Sequence, residues 1–147
     1  MTQQKAKIEV QTEEVKEAKE LEFTPEELLP IFDTILFEGA YKEKHLLKGK
    51  LLVEFVSLST RDVSDISAEL DTKSFNLVAT MQEQRSLLSL YRGLVSYNNR
   101  DLTQAPEEKR KDFISKLPAA IVAALSKAQW KFNRKVDAAC REGEANF

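Results

Sequence analysis

The chain has 147 residues, enough for one domain with a single buried core. Its net charge is −2 and its pI about 5.6, so bulk electrostatics give no reason to expect nucleic acid or an anionic membrane as partner. A single cysteine, Cys140, and a single histidine, His45, exclude an intrachain disulfide and a Cys/His metal cluster.

Residues 1–22 are polar and turn acidic: Glu9, Glu13, Glu14, Glu17, Glu20 and Glu22 stand against Lys5, Lys7, Lys16 and Lys19. They read as a flexible acidic arm, either solvated or ordered on a partner. The segment has no apolar signal core, and no later run approaches the ~20 residues of a membrane span. A helix then starts at 23-FTPEELL-29. Thr24 is placed to cap it, Pro25 suits its first position, and Glu27 is placed to complete a capping box. Pro30 disturbs this helix and Gly39 ends it.

Residues 41–58 read as a β-hairpin turning at Lys48-Gly49. In its second strand Leu51, Val53 and Phe55 share one face, and Leu52, Glu54, Val56 and Leu58 the other. Both faces are mostly apolar, so one is expected to pack on helices and the other to be partly covered or to meet a partner. Ser59 or Thr60 caps a helix over about 60–70, with Asp62 in its first turn.

A long helix is expected over 74–97. Leu77, Met81, Leu88, Tyr91 and Val95 share one side, and Leu87, Leu90 and Leu94 widen the arc to about half the circumference. That width places this helix at the centre of a bundle. The stretch 98-NNRDLTQAP-106 reads as a loop, and a short charged helix spans about 106–116. Pro118 opens the last helix, running to about 142, with Ile121, Val122, Leu125, Ala128, Phe132, Val136 and Ala139 on one face. The expected fold is mainly α: a single domain over 23–147, a helical bundle with one two-stranded hairpin packed on it.

No motif carries chemistry. There is no phosphate loop, dinucleotide fingerprint or metal motif, and His45 has no Ser, Cys or Asp at a catalytic spacing. Cys140 reads as a small packed residue. No enzyme, cofactor or metal is expected. The partner-binding candidates lie on the last helix and the hairpin. Trp130 falls opposite the apolar face, with Lys127, Lys131 and Arg134 alongside. Either it anchors a partner or the 106–116 helix folds back over it. Leu52 and Val56 represent the second hairpin face. The basic side of the last helix keeps a nucleic-acid-binding accessory role as a further, disfavoured alternative.

The stretch 32-FDTILFEGAYKEKHLLKGKLLVEFVSLSTRDVSDISAEL-70 runs helix, Gly-Ala-Tyr step, hairpin, capped helix. Together with 130-WKFNRKVDAACREGEANF-147 it resembles small tail and baseplate assembly proteins of tailed bacteriophages. These include tail assembly chaperones and baseplate hub proteins. The resemblance implies a non-enzymatic role in the host cytoplasm, or within the virion. It implies binding to a protein partner such as a tape-measure or hub component. A permanent structural subunit of the tail, baseplate or neck is the alternative, and homo-oligomerisation is left open.

Overall fold

The computed structural model describes residues 23–72 and 78–145. The expected acidic arm, the first residues of the expected 74–97 helix and the terminal Asn-Phe pair lie outside the described residues. Helix α1 spans Pro25–Glu38. Strands β1, Lys42–Leu47, and β2, Leu51–Val56, follow. Helices α2, Thr60–Asp71, and α3, Val78–Gly93, lead to β3, Leu94–Tyr97, and β4, Arg100–Asp101. Helices α4, Glu107–Ser115, and α5, Ala119–Ala145, complete the chain.

The helix ends follow their local chemistry. Glu27 N donates to Thr24 Oγ1 at 3.3 Å, and Gly39 closes α1 in the left-handed region at φ 85°. Pro30 stays inside α1. At α2 the box is reciprocal: Asp62 N donates to Ser59 Oγ, and Ser59 N donates to Asp62 Oδ2.

The mainly helical class holds, but the lone hairpin does not. The sheet is four-stranded and antiparallel, in the order β1-β2-β3-β4. Residues 94–97, expected to end a helix, pair as β3 with β2: Val53 opposes Tyr97 and Phe55 opposes Leu94. The physical reason lies in Asn98-Asn99. Both residues take positive φ, 50° and 66°, which asparagine tolerates, and they turn β3 tightly into β4. The stretch expected as loop therefore opens with a second hairpin. A third strand beside β2 also removes the marginal stability of an isolated two-stranded ribbon. In the first hairpin Lys48 and Gly49 take positive φ as well, and Lys50 N bonds Leu47 O at 3.1 Å. Leu47 pairs with Leu51, so the connection has Lys50 as a third residue.

The centre is also displaced from where the apolar arc of α3 put it. The main core joins Val53 and Phe55 of the sheet, Leu90, Leu94, Leu102, Ile114, and Leu125 and Phe132 of α5. Helix α5 is the hub, covering the inner sheet face and packing along α1 through Ala139. The arc of α3 is wide because it serves three directions. Leu88 packs with Ile66 and Leu70 of α2, Leu90 and Leu94 enter the main core, and Leu87 and Tyr91 line a groove. Helices α3, α4 and α5 share a core with the inner face of the sheet, while α1 packs on α5 and α2 on α3, so the architecture is layered rather than a simple bundle.

Candidate partner-binding surface

Two positions on α5 that differ by about 200° around the helix separate core from surface. Phe132 is buried against Phe55, with ring centroids 5.9 Å apart. Trp130 points the other way and is 53% exposed. The Arg134 guanidinium lies 5.6 Å from the centre of its ring, a cation–π contact one turn along. Helix α4 does not cover the tryptophan. It turns Ile114 and Phe113 into the main core, where Phe113 meets Tyr97 edge-on at 5.2 Å.

One turn before Trp130, α5 forms a wall of a groove of about 750 Å³. Ala119, Val122, Ala123 and Ser126 face Leu87 and Tyr91 of α3 and Leu117 across it. Small residues on one wall and apolar residues on the other leave a furrow that α5 does not fill with its own side chains. Such furrows accept an apolar helical face, with a neighbouring aromatic as anchor.

The other side of α5 meets β1 in a second cleft, of about 480 Å³. Lys127 and Lys131 reach its rim, with Lys48 and Lys135. Its floor includes Leu47, Ala124, Ala128 and Phe132. At its β1 wall four titratable groups meet. Tyr41 Oη donates to Glu43 Oε2 at 2.6 Å, and Lys135 Nζ donates to the same oxygen at 3.1 Å. His45 Nε2 stands 3.1 Å from Glu43 Oε1, although without the alignment of a hydrogen bond. Its ring packs on Phe55 and Phe132. Burial pushes the Tyr41 phenol up to about 12, helped by the Glu43 carboxylate. Burial works against ionised Glu43, but hydrogen bonds from Tyr41 and Lys135 and the nearby positive charge outweigh it and hold its carboxyl below the usual range. Burial lowers His45; Glu43 opposes this and Lys135 reinforces it.

No protein-family model, curated protein or solved structure matches the chain.

Of the sequence candidates, Trp130, Lys127, Lys131 and Arg134 thus share one continuous strip of α5. Leu52 and Val56 do not join them. They lie on the outer sheet face, paired with Leu46 and Lys42, while the inner face packs towards α5. Leu46, Leu52 and Val56 enter none of the hydrophobic clusters, and Leu46 is 60% exposed. The two groups of candidates therefore form two surfaces on opposite sides of the sheet–α5 sandwich. Among the described residues only β1 and the two-residue β4 present open strand edges, because β3 pairs the far side of β2. Lys42 and Lys44 on β1 are charges of the kind that discourage edge-to-edge pairing. Cys140 is half-buried and its thiol is raised by burial and by Asp137 and Glu144, the opposite of an activated nucleophile. The Tyr41–Glu43–His45–Lys135 cluster had one local signal, the alternation that puts Tyr41, Glu43 and His45 on one strand face. Lys135, far along the chain, had none.

Proposed function

We propose that this protein acts by binding, as a non-enzymatic assembly factor that holds an amphipathic segment of a protein partner against α5. The observation that carries the reading is exposed Trp130, stacked by Arg134, at the end of the Ala119–Ser126 wall of the apolar groove. A large exposed ring in contact with a cation, beside a mainly apolar furrow, has the composition of an interface hot spot. The partner class follows from the resemblance to phage tail and baseplate assembly proteins: a tape-measure or hub component that needs its apolar surface covered before assembly. No helix among the described residues is long and apolar enough to cross a membrane.

Co-expression with a phage tape-measure or hub protein tests the reading. The wild-type chain should keep that partner soluble and co-elute with it. Trp130→Ala should weaken capture by about 2 kcal/mol or more, roughly thirtyfold. Equal capture by Trp130→Ala and Arg134→Glu would remove α5 as the binding surface. Mass spectrometry of purified particles separates the two roles: absence of the chain marks an assembly chaperone, presence a virion subunit.

A further inference from the structure

The β1–α5 cleft lies beside the Trp130–Arg134 strip and is strongly cationic, with four lysines and one glutamate among its lining residues. Lys48, Lys127 and Lys131 stand at its rim with no carboxylate within ion-pair distance among the described residues; Lys135 is held by Glu43. The floor between them is apolar. A concavity of this kind suits a segment that carries several carboxylates and a few small apolar side chains.

Phe23, the first described residue, is itself one of the cleft's lining residues. The chain before it therefore leaves from the cleft wall. Residues 9–22 carry six glutamates against two lysines, with Val10, Val15, Ala18 and Leu21 between them. Glu20 and Glu22 are the carboxylates nearest in sequence to Phe23. Reach is not limiting, since even six extended residues span about 20 Å. We infer that the acidic segment 9–22 docks intramolecularly in the β1–α5 cleft, its carboxylates on Lys48, Lys127 and Lys131 and its apolar residues towards the floor. The chain thereby carries its own occupant for this site. This inference is independent of the α5 groove and of the identity of any partner.

Zero-length carbodiimide crosslinking of the full chain, mapped by mass spectrometry, tests it. Amide links should join Glu13, Glu14, Glu17, Glu20 or Glu22 to Lys48, Lys127 or Lys131. They should be lost in about 1 M salt, where the screening length falls to about 3 Å. A mixture of isotope-labelled and unlabelled chains distinguishes the source. Links within one isotope class support docking in cis, whereas mixed links would overturn it in favour of a second copy. Links spread evenly over Lys109, Lys116 and the cleft lysines would overturn the assignment altogether. His45 gives a second, non-covalent readout, as the sole histidine, sited in the cleft. Its ring proton resonances should move in the full-length variant Glu17→Gln/Glu20→Gln/Glu22→Gln. Resonances unchanged from wild type would overturn the docking.

Discussion

Gln129 on α5 donates its side-chain N–H to the backbone carbonyl of Ser89 on α3 at 2.7 Å, although the residue is only 2% exposed. Gly93, one turn further along α3, makes room for it: a methyl group there would overlap the Gln129 amide. Glycine to alanine ordinarily favours a helix by up to about 1 kcal/mol. Here the sign should reverse. Gly93→Ala should lower the unfolding free energy by about 1–3 kcal/mol in urea melts, because the buried amide must leave its bond. A stabilised Gly93→Ala would show that α3 and α5 are not in this close contact.

Phe55 and Leu88 separate the main core from its satellite. Phe55 is fully buried among His45 and Phe132, while Leu88 packs with Ile66 and Leu70. Phe55→Ala should cost about 3–5 kcal/mol and Leu88→Ala about 2–5 kcal/mol. Their buried members differ and the clusters meet at Tyr91, so the double variant should be additive within about 0.5 kcal/mol in chemical denaturation unless Tyr91 couples them. A large coupling would mean that the two clusters form a single unit.

Trp130 gives the clearest split between stability and binding. As the only tryptophan, it reports its own surroundings. Its emission should sit near that of a solvent-exposed indole and shift to the blue on partner capture. Trp130→Ala should change stability by about 1 kcal/mol or less. A blue-shifted free protein together with a large stability loss would assign the ring to the core.

The β1 cluster sets the pH profile. His45 is depressed below 6.5 and Glu43 below 4.5, so the unfolded chain binds these protons more readily. Their contribution is complete above the unfolded values and is lost as pH falls through the folded ones. Tyr41 is raised from 10.0 to about 12, so its contribution is complete below pH 10.0 and lost as pH rises through about 12. Denaturant melts across pH should show a plateau from about 6.5 to about 9 that falls on both sides, because the Cys140 thiol, raised above 9.0 by burial, joins Tyr41 in the alkaline fall. Tyr41→Phe should abolish the share of the alkaline fall that belongs to this phenol, and His45→Gln the share of the acid fall that begins nearest pH 6.5.

Helix boundaries were readable because caps are local. Thr24, Pro25, Gly39, Ser59 and Asp62 act within four residues of the ends they define. Strand β3 was not, because Leu94 and Val95 continue the apolar spacing of α3 and serve either period. Only pairing with β2 decides between them. Trp130 was readable from the turn angle alone, since a core face on Leu125 and Phe132 forces residue 130 outward. The cluster around Glu43 was hidden for the opposite reason. Its lysine comes from a position 92 residues away, and such a meeting is made by tertiary packing.

Helix α5 comes after every element it covers. While the chain is being synthesised, the inner side of the sheet and the packing side of α1 wait for Ala119–Ala145 before they can be shielded from water. Pairing of β2 with β3 must also close a loop that contains both α2 and α3, which slows it relative to the two tight hairpins. Nascent chains that have not yet produced α5 should therefore be the form that most needs a chaperone, and stalling translation before residue 119 should leave them protease-sensitive throughout.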